Sequence, residues 1–346
     1  MSIEREREKM SIDSIVLGND KGSMPVLHDI AKHYDKVTDE SKSKSKSKND
    51  DSKKGIRDGG APFFNNKMKR FLIEGAWKRA CQSIGDLHIS KQLMAPKQRL
   101  ALDLCHGKGG DLGKFAHCNI EALIAIDISS KSLFEAAVRY EAGLKEAHPY
   151  FFQYFQYECD AFHSLLPQTL ADKTEWKQGM FGLVSCQFAL HYAASSTESL
   201  KRVLYNISCW LCKGGRFIAT FPDSRELTRR FDILSSTIDK DSKEFKDVEF
   251  GNELFKIKIN TRHLTGNMGT ESPRYEFYLG DHVQGLTEYV IDFQNLCKWA
   301  KESSLQLRWS HNIGAWTSGQ SISNSDIDPQ VLEVLNLYMA VEFEKI

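Results

Sequence analysis

The amino-acid sequence predicts an α/β protein with a mostly parallel β-sheet that is covered by helices on both faces. Short apolar runs alternate with helical patterns, which is typical of strands buried on both sides. A glycine cluster follows the first run, and acidic residues end the next two. A chain of 346 residues with 41% apolar and 27% charged residues can bury a large core without disulfides or a structural metal.

The N-terminal part of the chain has no hydrophobic periodicity. Its segment 41–55 (SKSKSKSKNDDSKKG) is lysine-rich and of low complexity, which predicts disorder. We therefore expect a largely disordered basic tail at residues 1–60, acting as a solvated linker, a weak phosphate-attracting arm or a nuclear-targeting tract. The island HDIAKHYD (28–35) predicts a short element that docks on the main domain.

Regular structure is predicted from Phe63 onward. The segment 66–84 places apolar residues at helical spacing, and so does SSKSLFEAAVRYEAGLKE (129–146), where Ser132 and Glu135 form a capping-box pattern. A further helix around 200–211 is expected to stop at Gly214-Gly215. Apolar runs predict strands at 99–105, 120–129, 150–160, 181–192 and 215–223.

The C-terminal third has a different pattern. Two antiparallel strands are predicted around NELFKIKI (252–259) and YEFYLG (275–280), within an insertion at about 231–285 of a domain that spans 61–346. A helix at 291–304 and a closing strand at 335–345 complete the expected elements.

The strongest local signal is LDLCHGKGGDLGKF (102–115), in which a buried strand enters a glycine-rich turn and a helix follows. Glycines at such a turn tolerate positive φ and let a ligand approach the backbone. Leu112 occupies the last position of a GxGxxG pattern, which disfavours a dinucleotide pyrophosphate and hence a nicotinamide oxidoreductase.

Two acidic residues follow this turn at predicted strand ends. Asp127 lies 20 residues after Gly107, where a carboxylate can accept both ribose hydroxyl protons of a nucleoside. Asp160 follows the third strand and is placed beside an adenine, although it would equally cap a turn. S-adenosylmethionine suits this layout, because it carries ribose and adenine but no phosphate.

A series of motifs in fixed order extends from about residue 63 to the C-terminus, and by these motifs the chain resembles the eukaryotic mRNA cap guanine-N7 methyltransferases. The glycine turn with its lysines and GGDL is more specific than a generic methyltransferase turn. The segments that carry the resemblance are FFNNKMKRFLI (63–73), LDLCHGKGGDLGKF (102–115), SCQFALHY (185–192), FIATFPDSRELTRR (217–230), FGNELFKIK (250–258), YEFYLGDHVQGLTEYVIDFQNL (275–296) and NLYMAVEFEK (336–345).

The resemblance implies a class I S-adenosylmethionine-dependent methyltransferase fold, Rossmann-like, with a mostly parallel seven-stranded sheet, helices on both faces and an antiparallel insertion. It implies methyl transfer to guanine nitrogen 7 of GpppN-capped RNA, with S-adenosyl-L-homocysteine as product. Nitrogen 7 has a free lone pair, so we expect no general base and no metal. Proximity, orientation and electrostatics would supply catalysis.

The resemblance also assigns residues to two sites. We expect Glu288 to accept two hydrogen bonds from the guanine edge and His191 to donate to O6, although each residue type alone is more often a solvated cap or a core residue. The expected cofactor contacts are Lys69, Cys105, Gly107, Asp127, Asp160, Gln187 and Tyr192. The expected cap and triphosphate contacts are Asn65, Asn66, Lys108, Lys114, Arg139, Phe188, His191, Glu288 and Tyr338.

One position departs from the family pattern. The family usually has Gly-Cys-Gly in the cofactor loop, whereas this chain has Cys105-His106-Gly107. A side chain at Cys105 takes space near the cofactor, and we expect binding to survive with a slightly shifted loop. His106 is expected to be an exposed loop residue without a role.

Composition sets bounds on partners and compartment. Lys+Arg and Asp+Glu are both 46, so global charge does not indicate a partner, although it can hide a basic cleft. No stretch reaches the ~18 apolar residues of a membrane span. The eight cysteines fit reduced, buried thiols of a cytosolic or nuclear protein, and Cys209 and Cys212 are expected in a core helix rather than at zinc.

Three readings of the function stay open on the residues alone. The resemblance implies capped RNA as substrate, a nuclear location, a monomer, and capping enzyme or RNA polymerase II as candidate partners. A small-molecule methyltransferase on the same fold would need no Asn65-Asn66 pair and no Glu288. A non-catalytic module that binds capped RNA would follow if Cys105 blocked the cofactor.

Overall fold

Strands and helices alternate along the chain in the computed structural model, which describes residues 32, 35–36, 61–91, 99–146, 149–164, 166, 177–236, 246–263, 273–280, 283–319 and 327–346. The helices are α1 (Ala61–Lys91), α2 (Leu112–Ala116), α3 (Ser130–Gly143), α4 (Thr197–Trp210), α5 (Ser224–Ser236), α6 (Phe293–Glu302), α7 (Ile313–Gly319) and α8 (Pro329–Asn336). The strands are β1 (Leu100–Leu104), β2 (Ala122–Asp127), β3 (Gln153–Glu158), β4 (Phe181–Gln187), β5 (Leu211–Pro222), β6 (Asp247–Gly251), β7 (Phe255–Asn260), β8 (Arg274–Leu279), β9 (Val283–Tyr289), β10 (Leu305–Asn312) and β11 (Tyr338–Lys345). Short 3₁₀ helices span Leu190–Ser195 and Thr261–His263.

The larger sheet has seven strands in the order β10-β11-β5-β4-β1-β2-β3. Strands β3, β2, β1, β4 and β5 pair in parallel, whereas β11 is antiparallel to both of its neighbours. The predicted mostly parallel, seven-stranded sheet is therefore confirmed. Its strand order reverses between β1 and β4, which is where open α/β sheets hold ligands at the carboxyl ends of their strands.

Alternation along the buried strands places apolar residues on both faces of this sheet. Leu102 of β1 packs in one apolar cluster with Leu200 of α4, while the preceding Ala101 packs in the other with Leu72 of α1. Period-2 alternation sends neighbouring side chains to opposite faces. Helices thus cover both faces, as predicted.

Helix α1 is the longest described helix, with 31 residues, and it lies across the sheet. Met68, Leu72 and Ala76 recur at four-residue spacing and are completely buried. The helix is also tied to β11, because Arg79 Nε donates to Glu342 Oε1 at 2.9 Å and Glu342 is 1% exposed. This anchor fixes the helix that carries Asn65, Asn66 and Lys69.

A second, antiparallel sheet has the order β6-β7-β8-β9. Its inner face buries alternate side chains such as Phe255, Ile257 and Phe277. The two predicted strands correspond to β7 and β8, and the antiparallel pairing is confirmed. Strands β6 and β9 went unpredicted, since β6 has five residues and β9 is interrupted by Gly285, which has a φ of 67°.

Three predicted boundaries are wrong. Helix α4 ends at Trp210 instead of Gly214-Gly215, because Leu211 is extended and pairs with Phe181. Strand β4 ends at Gln187 and the rest of its apolar run forms a 3₁₀ helix. Helix α3 is capped by Ser129, whose side chain accepts from the Ser132 amide, so no capping box begins at Ser132.

The cysteine prediction is confirmed only in part. Cys118, Cys159 and Cys186 are buried, but Cys81 is exposed and the other four are intermediate, all with free thiols. Cys209 lies in the last turn of α4 while Cys212 lies in β5, so the pair does not share a helix. Elements α5, β10, α7 and α8 were not predicted; β10 alternates exposed and partly buried residues at the sheet edge.

Most of the predicted tail at 1–60 and part of the predicted insertion lie outside the described residues. Within the tail, Asp35 accepts a hydrogen bond from Ser129 Oγ at 2.6 Å. At least this residue of the predicted island contacts the main domain, at the start of α3, while most of the island lies outside the described residues. None of the described helices has the length and apolar character that a membrane crossing requires.

Candidate functional site

A cavity of about 230 Å³ lies at the carboxyl ends of β1, β2 and β4. It includes six of the seven residues expected to contact a cofactor; Lys69 is the exception. The lining residues are Cys105, Gly107, Asp127, Ile128, Ser132, Cys159, Asp160, Ala161, Phe162, Gln187, Phe188, Ala189 and Tyr192. The sequence argument did not assign Ile128, Ser132 or Phe162 to the site. The only sequence feature that could have indicated them is their nearness in the chain to Asp127 or Asp160.

Asp127 is held by the backbone on both sides. Its Oδ2 accepts from the Gly107 amide at 2.7 Å and its Oδ1 accepts from the Ser129 amide at 2.8 Å. Burial raises the pKa of this carboxyl above its ordinary value, although the two amides oppose that shift. Each oxygen keeps a further lone pair, so Asp127 can still accept hydrogen bonds from hydroxyl groups.

The glycine turn needs its glycines for different reasons. Gly107 and Gly109 have φ of 57° and 71°, a region that side chains disfavour. A Cβ on Gly109 would also lie 2.8 Å from Leu112 and 3.1 Å from Ala136. The loop therefore packs directly on α3, which keeps the Gly107 amide directed at Asp127.

Cys105 has a φ of 57°, a conformation that is usual for glycine, which is the residue that the resemblance implies at this position. A hydrogen bond with Cys186, together with burial, raises the pKa of the Cys105 thiol well above its ordinary value. The neutral thiol is thus directed at β4 while the residue still lines the cavity. Positive φ at a residue with a Cβ is a local strain of the kind found at binding sites.

His106 is buried, so the expectation of an exposed loop residue is wrong. It is 7% exposed, and its Nδ1 lies 2.7 Å from Asp103 Oδ2. Its ring is 5.7 Å from that of Tyr154. The imidazole therefore fills space beneath the loop, which composition alone did not indicate.

Asp160 caps a turn and also borders the cavity. Its Oδ1 accepts from the amides of Phe162 at 2.9 Å and His163 at 3.0 Å, which is the turn-capping alternative. The same carboxylate lines the cavity, and its Oδ2 lies 3.1 Å from His163 Nδ1.

Gln187 and Tyr192 close the cavity from the β4 side. The amide of Gln187 is fixed at both ends, because its Oε1 accepts from Thr220 Oγ1 at 3.2 Å and its Nε2 donates to Ser185 Oγ at 3.3 Å. Tyr192 is 5% exposed, and its ring lies 4.2 Å from that of His191. Gln187 ends β4 and Tyr192 lies in the 3₁₀ helix that follows.

A second group of predicted residues meets around the same segment, and one of them, Phe188, also lines the cavity. Phe188 has a φ of 56°, and its ring packs edge-on against Tyr338 at 5.0 Å. His191 Nε2 lies 3.4 Å from Glu288 Oε1. Glu288 comes from β9 and is 3% exposed, so it is a buried strand residue and not a solvated cap.

Lys69 and Lys114 share one buried carboxylate that the sequence argument missed. Asp111 Oδ1 lies 2.8 Å from the Nζ of each lysine. Burial favours the neutral acid, but the charges and hydrogen bonds of the two lysines hold the pKa of Asp111 below its ordinary value. Burial likewise lowers the pKa of Lys114.

Lys114 is occupied within the protein. Besides Asp111, its Nζ donates to Asn66 Oδ1 at 3.0 Å and to the Gly110 carbonyl at 3.1 Å. A lysine has three donors, so this ammonium reaches a phosphate only when one of these partners gives way. The neighbouring Asn65 has a buried Oδ1 without a hydrogen-bond partner among the described residues.

Lys108 and Arg139 lie at the glycine turn and α3. Lys108 Nζ is 3.4 Å from Glu135 Oε2. The Arg139 guanidinium lies 3.8 Å from the point where a side chain on Gly110 would begin. Both cations therefore lie beside the glycine turn. Within the described ranges, no group of three or more His, Cys, Asp or Glu side chains is arranged to hold a metal ion.

Solved methyltransferase structures are similar to this chain at low sequence identity and with TM-scores below 0.5. An S-adenosylmethionine-dependent methyltransferase from Clostridium acetobutylicum is 14% identical with a TM-score of 0.43, covering 78% of this chain and 91% of that chain. A putative methyltransferase of the same kind from Listeria monocytogenes is 14% identical with a TM-score of 0.44, covering 77% and 98%.

Curated relatives extend over most of the chain. The mRNA cap guanine-N(7) methyltransferase of Cryptococcus neoformans is 30% identical over 303 residues, which cover 83% of this chain and 44% of the relative. The Candida glabrata enzyme is 34% identical over 70% of this chain and 52% of its own length. The Schizosaccharomyces pombe enzyme is 30% identical over 82% of this chain and 74% of its own length. The chain spans about half the length of the Cryptococcus neoformans and Candida glabrata relatives.

The family model of the mRNA (guanine-N(7))-methyltransferase domain matches residues 19–332. That range contains the glycine turn, both acids of the cavity and Glu288. It also contains Asp35, which contacts the main domain. By this match and by its curated relatives, the chain belongs to the mRNA (guanine-N(7))-methyltransferase family.

Proposed function

We propose that the protein is an mRNA cap guanine-N7 methyltransferase that uses S-adenosyl-L-methionine to methylate the terminal guanine of GpppN-capped RNA. The observation that carries the proposal is the position of segment 187–192. Its side chains contact both the cavity at the strand ends and the neighbouring cluster that contains Glu288 and Tyr338. Gln187 and Tyr192 line the cavity at the strand ends, while Phe188 and His191 pack with Tyr338 and Glu288.

The residues of the cavity fit the cofactor. Asp127 has lone pairs left for two ribose hydroxyls, and the apolar Ile128 and Phe162 offer surfaces for an adenine. When bound, S-adenosyl-L-methionine supplies a methyl group activated by its sulfonium, and S-adenosyl-L-homocysteine is released. We infer that the cofactor is held by Lys69, Cys105, Gly107, Asp127, Asp160, Gln187 and Tyr192.

The second group fits a guanine. A buried carboxylate at Glu288 can accept two hydrogen bonds, which matches the ring NH and the amine of guanine but not adenine. We infer that His191 donates a hydrogen bond to O6 and that the ring of Phe188 packs against the base. Tyr338 closes this group from β11.

Cations near the glycine turn fit a triphosphate. Lys108 and Arg139 lie beside the turn, and Asn65 and Asn66 face it from α1. Separate cations of this kind neutralise phosphate groups. Lys114 joins them once Asn66 exchanges its hydrogen bond for one to the substrate.

The reaction needs positioning more than acid–base chemistry. The two groups of residues would hold guanine nitrogen 7, with its free lone pair, in line with the methyl group that the bound cofactor would supply. Holding the two reactants in line can contribute about 7–11 kcal/mol. Glu288 adds electrostatic stabilisation, because a carboxylate at the guanine edge favours the positive charge that develops on the ring.

Several features of the whole protein belong to the same proposal. We infer that residues 61–346 form the catalytic domain with an insertion at about 231–285, and that residues 1–60 form a largely disordered basic tail. We further propose that the protein is a nuclear monomer that works without a metal or a membrane. Capping enzyme and RNA polymerase II are its candidate protein partners.

Methylation of a short GpppA-capped RNA with labelled cofactor tests the function. We expect transfer to nitrogen 7 of the cap guanine, and substitution Glu288→Ala should reduce turnover at least tenfold. Cofactor affinity by calorimetry should stay within a few-fold, because Glu288 is not among the residues that line the cavity.

The matched control is Glu276→Ala, which removes a carboxylate from the outer face of the same antiparallel sheet and should leave turnover near that of the wild type. Transfer to small amines or acids with no activity on capped RNA would favour a small-molecule methyltransferase. Cap binding without saturable cofactor binding would instead identify a non-catalytic module.

A further inference from the structure

Glu288 has a buried partner on the neighbouring strand, Tyr275. The two residues lie directly opposite each other in the register of β8 and β9. Tyr275 Oη donates to Glu288 Oε2 at 2.8 Å, and each residue is 3% exposed. Sheet register therefore fixes this hydrogen bond, and it does not depend on a mobile side chain at the surface.

The two oxygens of Glu288 have different surroundings. Oε2 is engaged by Tyr275, whereas Oε1 faces His191 Nε2 at 3.4 Å. Neither ring nitrogen of His191 has a hydrogen-bond partner among the described residues, although the ring is 2% exposed. Buried polar groups usually have hydrogen-bond partners, so an unpartnered imidazole beside a half-engaged carboxylate indicates the place of a polar ligand.

Tyr275 remains a donor throughout the physiological range. Burial and the neighbouring Glu288 raise the pKa of its phenol well above the ordinary value. A neutral phenol bonded to a buried carboxylate restrains the rotation of that carboxylate, and such charge-assisted bonds are stronger than neutral ones.

We propose that Tyr275 is a positioning residue that sets the plane of the Glu288 carboxylate for the two-donor edge of guanine. The inference rests on the proposed function, because it assumes that Glu288 binds guanine. Tyr275 does not touch the base itself; it keeps both carboxylate oxygens directed at the ring NH and the exocyclic amine. It thereby determines how strongly the enzyme prefers guanine to a base without that amine.

The test compares Tyr275→Phe with the wild type on RNAs that begin with GpppA or IpppA. Hypoxanthine keeps nitrogen 7 and the ring NH but lacks the exocyclic amine. For the variant we expect kcat/KM on GpppA to fall about tenfold, mainly through KM, which corresponds to ~1.4 kcal/mol for one hydrogen bond to a charged group. The preference for GpppA over IpppA should shrink by a similar factor, while cofactor affinity stays unchanged.

The matched control is Tyr278→Phe on the same strand. Tyr278 Oη donates to Glu276 Oε2 at 2.9 Å, a tyrosine–glutamate bond like that of Tyr275 but on the outer face. Its loss should change neither KM nor the preference between the two caps. An equal effect of both substitutions would overturn the inference, because it would indicate a general effect on the sheet.

A double-mutant cycle covers the case in which the single variant loses stability. In a Glu288→Gln background, Tyr275→Phe should add little further loss, since both changes act on one contact. Full additivity would overturn the positioning role. Unchanged cap preference in Tyr275→Phe would do the same, while a wild-type protein inactive on GpppA would instead refute the proposed function.

Discussion

Two residues that line the cavity, Cys105 and Phe188, adopt a backbone conformation that is usual for glycine. Cys105 and Phe188 have φ of 57° and 56°, and each directly follows a buried strand. The Phe188 amide is fixed to Thr220, with 2.8 Å to Oγ1 and 2.9 Å to the carbonyl. Strain of this kind persists where the surrounding structure overrides local preference, so these positions should respond differently from ordinary surface residues.

The strain at Cys105 leads to a stability prediction. Cys105→Gly should raise the free energy of unfolding by about 1 kcal/mol, because a Cβ in the left-handed region costs ~1–2 kcal/mol. Loss of the hydrogen bond between the thiols of Cys105 and Cys186 offsets part of that gain. Thermal or urea unfolding measures the change.

Cys105→Ala is the matched control, since it removes the thiol and retains the Cβ. It should not be more stable than the wild type. Equal stabilisation by both substitutions would show that the thiol, and not the backbone conformation, is unfavourable there.

At the scale of elements, α1 is joined to the glycine turn through one carboxylate. Asp111 lies between Lys69 of α1 and Lys114 of α2, and Lys114 also binds Asn66 of α1. These contacts hold the helix that carries the predicted cap and cofactor residues against the loop that lines the cavity. Packing and charge at this junction are therefore coupled.

Asp111→Asn should destabilise the protein by about 3–5 kcal/mol at neutral pH, as expected when one partner of a buried ion pair is removed. The folded state lowers the pKa of Asp111, so its contribution is present above the ordinary carboxyl pKa of ~3.9. That contribution is lost as the pH falls through the lower folded value. Urea unfolding between pH 6 and 3 should show a shallower acid decline in the variant.

The control for this junction is Asp247→Asn. Asp247 lies 3.0 Å from Lys258 in a pair that is largely exposed, and exposed pairs contribute little. Its substitution should change the pH dependence of unfolding much less than Asp111→Asn does, because solvent screens the exposed pair. An acid decline in Asp111→Asn as steep as that of the wild type would contradict the role of the buried carboxylate.

At the scale of the whole molecule, the N-terminal region contacts the ligand end of the sheet through Asp35. Deletion of residues 1–55 should leave turnover on a short cap analogue within a few-fold and weaken binding of longer capped RNA, because the lysine-rich stretch can attract phosphates. Steady-state kinetics and RNA affinity at two salt concentrations measure both effects.

Asp35→Ala in the full chain separates the two parts of this region. It removes only the hydrogen bond from Ser129 Oγ and retains the lysine-rich stretch. If Asp35→Ala loses as much turnover as the deletion does, that loss is caused by the missing contact between Asp35 and the start of α3. A large loss of turnover on the short analogue in both proteins would contradict the predicted independence of catalysis from the tail.

Much of the fold followed from patterns within short windows. Buried strands such as β1 and β2 were predicted because continuous apolar runs bounded by turns have few alternatives. The end of α4 at Trp210 and strand β10 were not, because pairing with strands distant in the sequence decided them. Leu211, for example, becomes extended through its pairing with Phe181. Strands β6 and β9 were missed because β6 has five residues and β9 is interrupted by Gly285.

The sequence by itself determined the five parallel strands, the glycine turn with its acids, and membership of the family, because these depend on local periodicity and on motifs that survive in linear order. Only the tertiary structure decided which side chains meet: that Tyr275 engages Glu288, that Asp111 holds two lysines, and that His106 is buried. These outcomes depend on contacts between different secondary-structure elements, such as Asp111 with Lys69 and Tyr275 with Glu288. The energies of these contacts arise from burial and charge, which no local pattern specifies.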